Sequence, residues 1–302
     1  MIPMRIFLTG ATGFIGSHVL QQALAAGHEV IALRRPGATP SIPLGPQPHW
    51  RDGALTDDWR ESLQQCDALL HLAAYGVAAG ANDWTGCFQV NVIDSLHLWR
   101  QAVAAGVQRL LVVGSCFEYG RSGERYDAIP VTAPLEPTTA YGASKAAATM
   151  AAHALAVEHC LSLVVARPFH VYGPGEAAGR FWPSLVAAAA AGDDLPMTTG
   201  AQVRDFQPVD QAASQLLAWL QHPQLSPGAP RVVNLGTGEP RSLLAFAESE
   251  WHRLQARGAL QAGAIVHRDN EVWRYVPEVT PLDASNGCSR LSQSRLLSLR
   301  NE

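Results

Sequence analysis

The apolar positions of this chain fall into short unbroken runs separated by stretches of helical spacing. Arg5-Ile-Phe-Leu-Thr9, Gly27-His-Glu-Val-Ile-Ala-Leu33, Cys66-Asp-Ala-Leu-Leu-His-Leu72, Leu110-Leu111-Val112-Val113 and Val232-Val-Asn-Leu235 read as buried strands. A helical pattern runs from Gly16 to Ala26, and Val92, Leu96, Trp99 and Val103 recur at helical spacing from Asn91 through Ala105. Leu243 to Leu254 reads as an amphipathic helix behind a Ser242 cap. Ala-rich stretches at 146–157 and 186–191 reflect helix propensity. Strands alternating with helices specify an α/β fold with a Rossmann-type, doubly wound parallel sheet. Five prolines between Pro36 and Pro48 break both helix and strand, so that segment reads as an exposed loop.

The first strand runs into Gly10-Ala-Thr-Gly13-Phe-Ile-Gly16 and then a helix, the context a phosphate-binding turn requires. Gly10 allows the tight turn, Gly13 lets backbone approach a pyrophosphate, and Gly16 lets helix and strand pack closely, with the helix N-terminus facing the anion. The spacing is G-x-x-G-x-x-G. After the second strand stand Arg34 and Arg35, where an acidic residue would favour the 2′-hydroxyl of NAD. Two guanidiniums suit a 2′-phosphate, so NADP(H) is preferred and NAD(H) remains possible; two arginines are also an ordinary solvated strand end. The proline loop should lie near the adenine edge. Ala73 and Ala74 are small enough to pass close to a cofactor, and Asn91 can order a catalytic loop or cap a helix.

Ser115 follows the strand 110–113 and Gly114, at the end of a strand where α/β sheets present reactive groups. If Tyr141 opens a helix, Lys145 lies one turn further along the same face. The ammonium can then favour tyrosinate; bringing a phenol from about 10 to about 7 takes roughly 4 kcal/mol of differential stabilisation. The Ser115 hydroxyl would hydrogen-bond a carbonyl being reduced. A bare Tyr-x-x-x-Lys is also an ordinary helix surface pair, and the rest of the chain has to decide between these readings.

At 302 residues, 47% hydrophobic and 16% charged, the chain is long enough for one large core or two unequal ones. A formal net charge of -4 gives no reason to expect a nucleic-acid partner. Cys66, Cys87, Cys116, Cys160 and Cys288 are scattered and odd in number, which suits a reduced, cytoplasmic protein with no metal site. The N-terminus enters a strand with no room for a signal peptide, and Leu185 to Ala191 is too short to span a bilayer, so no membrane partner is expected.

Taken together and in order, Thr9-Gly-Ala-Thr-Gly-Phe-Ile-Gly16, Asp67-Ala-Leu-Leu-His-Leu-Ala-Ala74, Asn91, Ser115 through Tyr119-Gly120 and Tyr141-x-x-x-Lys145 form a specific signature. It continues in Arg167-Pro-Phe-His-Val-Tyr-Gly-Pro174, Arg204-Asp-Phe206, Asp210 and Asn234-Leu-Gly-Thr-Gly238. Over residues 4–240 the chain resembles the extended short-chain dehydrogenase/reductases, in particular the NAD(P)-dependent nucleotide-sugar epimerase, dehydratase and 4-ketoreductase group. The resemblance implies an NAD(P)-binding domain over 1–174 and about 204–240. A smaller substrate lobe would comprise about 175–203 and 241–302. It gives Ser115, Tyr141 and Lys145 the catalytic roles. It places the cofactor against Gly10, Thr12, Gly13, Phe14, Ile15, Gly16, Arg34, Arg35, Leu72, Ala73, Ala74, Asn91, Tyr141, Lys145 and Pro168. A nucleotide-sugar substrate would meet Cys116, Phe117, His170, Arg180 and Arg204, the last at the diphosphate, where a bidentate guanidinium suits phosphate oxygens.

His170 stands where the family usually has Asn and reads as a packing or pocket residue; Phe181 and Trp182 line the pocket or the core. Many relatives pair the helices that start near Asn91 and Tyr141 across a dimer interface, so a homodimer is expected, with Met150, Leu155 and Val157 as contributors. The related 4,6-dehydratases carry an acidic pair after the catalytic hydroxyl residue. Here Cys116 and Phe117 fill those places, which argues against dehydration. Glu118, one place later, should point to the other face of a strand end and serve as a supporting or surface carboxylate. The arginine pair favours NADPH-dependent reduction of a nucleoside-diphosphate 4-keto-6-deoxyhexose over a 4-epimerase; a non-catalytic dinucleotide-binding regulator would typically lose Tyr141 or Lys145. The polar stretch beyond Asp283 departs from the family pattern.

Overall fold

The computed structural model describes residues 3–77, 83–267 and 271–282. Seven strands, β1 (Arg5–Thr9), β2 (Glu29–Arg34), β3 (His49–Asp52), β4 (Ala68–His71), β5 (Arg109–Val113), β6 (Ser162–Pro168) and β7 (Arg231–Leu235), form one sheet. Its order is β7-β6-β5-β4-β1-β2-β3, and every pairing in it is parallel. This is the doubly wound Rossmann order with one strand added, and the order reverses between β1 and β4, where such sheets bind ligands beyond their strand ends. The short strand β3 was not evident from the apolar pattern, because His49, Arg51 and Asp52 are exposed at the sheet edge.

Parallel strands are covered on both faces, and successive residues supply opposite cores. Ile6, Leu8, Val30, Leu70, Leu111 and Val164 pack with Val19, Leu20, Leu216 and Trp219 of helices α1 (Phe14–Ala25) and α7 (Val209–Leu220). Phe7, Ile31, Leu69, Leu110, Val112 and Val165 pack on the other side with Leu98, Trp99, Ala152 and Leu155 of α4 (Ser95–Ala104) and α5 (Ala140–Glu158). Leu155 is thus core, which removes it from the expected dimer face; Met150 and Val157 are exposed.

The helix expected from Asn91 begins earlier. A short α2 (Arg60–Leu63) precedes β4, and α3 (Trp84–Phe88) leads through a π-helical segment, Gln89–Asp94, into α4. Asn91 lies within that wide turn and is therefore no cap. Beyond β6, helices α6 (Phe181–Ala191) and α8 (Leu243–Arg253) share a separate core of Leu185, Leu195, Met197, Ala247 and Trp251. A three-stranded sheet pairs Val203–Asp205 with Pro240–Ser242, antiparallel, and with Arg274–Tyr275, parallel. The stretch beyond Asp283, with Cys288, lies outside the described residues.

Candidate active site

The glycine turn joins β1 to α1 at the reversal point. Gly10 has φ +72, and a Cβ there would meet the Leu72 carbonyl carbon at 2.6 Å and the Ala73 nitrogen at 2.7 Å. Only glycine lets the turn and the end of β4 come this close. A Cβ on Gly16 would strike the Gly10 oxygen at 2.0 Å, whereas one on exposed Gly13 would meet only that oxygen, at 3.2 Å. No side chain caps α1 at Gly13 and no acidic residue stands in its first turn. The uncapped N–H groups and the room over Gly13 fit a pyrophosphate. Thr12, Phe14 and Ile15 are half-buried around it, as are Leu72, Ala73 and Ala74 across the turn and Pro168 at the end of β6.

The arginine pair is not the free pair the sequence suggests. Arg34 donates Nε to Asp52 at 2.7 Å and stacks 4.7 Å over the Trp50 ring, both residues lying on β3. Arg35 is exposed. The proline loop returns over α1: the Ser41 N–H donates to Ser17 Oγ at 3.0 Å, and Ser41 and Ile42 lie against Gly175.

Ser115 follows β5 in extended backbone, φ -159 and ψ 145, and caps a 3-10 turn, Cys116–Glu118. Its Oγ accepts from the Phe117 N–H at 3.2 Å and also hydrogen-bonds Tyr141. Tyr141 sits in the first turn of α5, behind the Thr139 cap whose Oγ1 accepts from Gly142 at 3.1 Å. Phe117, half-exposed, meets the Tyr141 ring edge-on at 6.3 Å. Lys145, the chain's only lysine, is 4% exposed and donates Nζ to the Val113 carbonyl at 2.5 Å. The two halves of the Tyr-x-x-x-Lys pair therefore converge on the end of β5, one at Ser115 and one two residues before it.

The electrostatics differ from the expected acidified phenol. Burial pushes Tyr141 above its ordinary value, reinforced by Cys116 and Glu118 and opposed by the Ser115 hydrogen bond and the Arg180 charge. Burial pulls Lys145 down to about 8, and Glu118 opposes it. Lys145 is held by a carbonyl, and the cation acting on the phenol is Arg180, at the N-cap of α6, whose guanidinium donates to the Val77 carbonyl.

Asn91 is buried and ties three pieces together. Its Oδ1 accepts from the Tyr75 N–H at 2.7 Å, and its Nδ2 donates to the Tyr75 carbonyl at 3.0 Å and to Ser144 Oγ at 2.9 Å. It orders the loop after β4 against the helix that carries Tyr141 and Lys145.

Among the residues expected at the substrate, Cys116 is buried and its thiol is pushed up to about 12 by burial. His170, half-buried, packs edge-on to Tyr275 at 6.4 Å and beside Phe206; burial holds it near 3, hence neutral. Arg204 donates to the Val272 carbonyl at 2.5 Å and pairs with Glu271 at 3.3 Å. Phe181 packs in the core shared by α6 and α8, and the Trp182 indole donates to Glu250 at 3.0 Å.

Two features escaped sequence reading. Arg241 stands directly opposite Arg204 in the antiparallel pair, and its buried Nε has no hydrogen-bond partner among the described residues. Like charges face to face are unfavourable unless an anion joins them. Only the register reveals this, since the two arginines are 37 positions apart. The direction of Glu118, which reads from the sequence as a supporting or surface carboxylate, is the other. Glu118 does not point away from Ser115: strand geometry ends at Val113, and the 3-10 turn folds the fully buried carboxylate back onto the Ser115 N–H at 2.8 Å.

A nucleotide-scale cradle at the sheet reversal, followed along the same edge by a hydroxyl, a phenol and an ammonium, can bind a dinucleotide and move a proton to or from a carbonyl oxygen. Residues 6–236 match the model of the NAD dependent epimerase/dehydratase family. The chain belongs to that family. It is 30% identical over 263 residues to GDP-6-deoxy-D-mannose reductase of Pseudomonas aeruginosa, covering 81% of this chain and 78% of the relative. It is 28% identical to UDP-glucose 4-epimerase of Lacticaseibacillus casei, over 71% of each chain. Its structure is similar to that of MoeE5 in complex with UDP-glucuronic acid and NAD, with a TM-score of 0.77 at 26% identity, covering 92% of this chain and 91% of that one. Membership in the NAD dependent epimerase/dehydratase family makes this chain an NAD(P)-dependent enzyme of the nucleotide-sugar-modifying group. No helix among the described residues is long and apolar enough to cross a membrane.

Proposed function

We propose that the enzyme uses NADPH to reduce the 4-keto group of a nucleoside-diphosphate 4-keto-6-deoxyhexose. The observation that carries this reading is the hydrogen-bonded Ser115–Tyr141 pair followed by Cys116 and Phe117, with the neighbouring Glu118 carboxylate already engaged by the Ser115 N–H, Thr149 and Arg167. A protonated phenol supports reduction of a carbonyl. A 4,6-dehydratase also needs a carboxyl group to expel water, and neither a thiol pushed up to about 12 nor a phenyl ring supplies one. Similarity to GDP-6-deoxy-D-mannose reductase supports the same class.

The nicotinamide supplies the hydride when the cofactor is bound. Gly10, Gly13 and Gly16 would hold its pyrophosphate, Arg35 and Arg34 its 2′-phosphate, and Lys145 its nicotinamide ribose. Tyr141 donates its proton to the oxygen of the carbonyl being reduced, and Ser115 shares the negative charge that develops there. Arg204 holds the substrate's diphosphate, and the part built from about 175–203 and 241–302 receives the sugar. The exposed Met150 and Val157 on α5 and Ile93 near α4 would form a homodimer contact.

A 4-epimerase is the second reading, favoured by one observation: Asp52 already neutralises Arg34, which weakens the case for a 2′-phosphate. The test is incubation with NADPH or NADH and a panel of dTDP-, CDP-, GDP- and UDP-4-keto-6-deoxy sugars, following the reduced-nicotinamide absorbance. Stoichiometric consumption supports reduction. Interconversion of UDP-hexoses without net consumption would replace it by epimerisation.

A further inference from the structure

Glu118 is buried without exposure to solvent, yet it takes no part in the proton transfer proposed for Ser115 and Tyr141. Its Oε1 accepts from the Ser115 N–H at 2.8 Å. Its Oε2 accepts from Thr149 Oγ1 at 2.8 Å and from Arg167 Nε and Nη2 at 2.9 and 2.8 Å. One carboxylate therefore joins the turn after β5, helix α5 and strand β6. The residues around it are shaped to admit it, since a Cβ on Gly114 would strike Oε1 at 2.4 Å.

The register of α5 gives this knot its meaning. Tyr141, Lys145 and Thr149 recur every four residues, so they share one stripe of the helix. Tyr141 reaches Ser115, Lys145 reaches the Val113 carbonyl, and Thr149 reaches Glu118. We propose that Glu118 is a positioning residue for the reaction: it locks the Ser115 turn onto the Tyr141–Lys145 face of α5 and supplies the negative charge beside which the Lys145 ammonium is held. This rests on the reading of Ser115, Tyr141 and Lys145 as the catalytic group.

The charges around the knot are few. Arg167 faces Glu118 from β6 and stacks 4.6 Å over Tyr119, whose hydroxyl donates to Asn234. His71 of β4, held neutral by burial, feels the Lys145 charge, and the Cys116 thiol and the Arg180 guanidinium act on Tyr141. Glu118 is the group that opposes the depression of Lys145 by burial. Removing its charge moves Lys145 further down, by about one pH unit for a unit charge lost from a low-dielectric neighbourhood. At pH 7.5 the ammonium fraction would then fall from about three quarters to about one quarter.

Because Lys145 is the only lysine, lysine-labelled protein gives one ε-ammonium signal by NMR, whose titration needs no substrate. The expected result is a midpoint near about 8 in the native protein and about one unit lower in Glu118→Gln. Glu118→Gln leaves Arg167 buried without its partner, which endangers folding; Glu118→Gln/Arg167→Gln removes both charges and should show a smaller downward shift, because the Arg167 charge lost with Glu118 acts in the opposite sense. Thr149→Val cuts the tie to α5 and keeps the charge, so it should lower kcat at least about tenfold and leave the Lys145 midpoint in place. An unmoved midpoint in both Glu118 variants overturns the electrostatic role, and an unchanged kcat in Thr149→Val overturns the positioning. A native enzyme inactive on every nucleotide sugar would instead refute the function above, and the titration would still report on Glu118.

Discussion

Replacing Asn91 by Ala removes the clip that ties the loop after β4 to the helix carrying Tyr141 and Lys145. Three hydrogen bonds are lost, at 2.7, 3.0 and 2.9 Å. Each is worth about 1 kcal/mol net, and a buried partner left unpaired costs more. Here the partners are partly rescued: Tyr75 is half-buried, so water can reach its N–H and carbonyl, and Ser144 still donates to the Tyr141 carbonyl at 2.8 Å. The expected loss is about 3 kcal/mol, a roughly hundredfold change in the unfolding equilibrium. Urea unfolding followed by tryptophan fluorescence measures it. The same variant should weaken dinucleotide binding by calorimetry, because the loop it frees begins at Leu72 and Ala73, against which Gly10 is packed. A loss below about 0.5 kcal/mol with unchanged cofactor affinity would mean that the amide is a bystander, and that the π-helical turn around it serves packing alone.

Tyr141→Phe should cost about 10²–10⁴ in turnover with cofactor affinity retained, and an unchanged rate removes Tyr141 from the mechanism. Arg34→Asp, by placing a second carboxylate beside Asp52, should lower the NADPH over NADH preference in kcat/KM at least about tenfold; no change ends the 2′-phosphate argument. His71 is 2% exposed and burial holds it near 3, while the unfolded chain binds a proton near 6.5. Stability is therefore full above pH 6.5 and falls below it, by about 2 kcal/mol at pH 5 from this group. Urea unfolding at pH 7 and pH 5 checks this, and a His71→Asn variant with the same acid loss as the parent would disprove the assignment.

The sheet was legible because parallel strands announce themselves as apolar runs; β1, β4, β5 and β7 lie within one or two residues of where the runs end. β3 was not, since an exposed edge strand of His49, Arg51 and Asp52 carries no such run. The glycine turn was legible for a steric reason that survives in the atoms: Gly10 and Gly16 face backbone at distances no side chain tolerates. Pairings remote in sequence were hidden. Nothing in Arg34-Arg35 shows that Asp52 neutralises one of the two, nothing in Pro240-Arg-Ser242 shows that Arg241 faces Arg204, and the rule that alternate residues of a strand face opposite ways misdirects Glu118 because the strand has already ended. Residue types and local spacing carry the proposed catalytic trio; register and turn geometry carry its support.

The direction of the Tyr141 shift also bears on which way the reaction runs. Burial holds the phenol protonated well past neutrality, opposed by Ser115 and Arg180. A reductase starts from that form, since the phenol must give its proton to the carbonyl oxygen. An epimerase starts by taking a proton from a sugar hydroxyl, for which the phenol must already be ionised. In the reductive direction the rate should therefore stay level from pH 6 to 8, because Tyr141 remains the acid throughout. It should decline above about 8, where Lys145 loses its proton. The reverse oxidation, which needs tyrosinate, should climb across pH 6 to 8. Initial rates in both directions with one matched sugar pair and a three-buffer series distinguish the cases. A reductive rate that itself climbs between pH 6 and 8 would show that the phenol must lose its proton before turnover, and the reductase reading would give way to the epimerase.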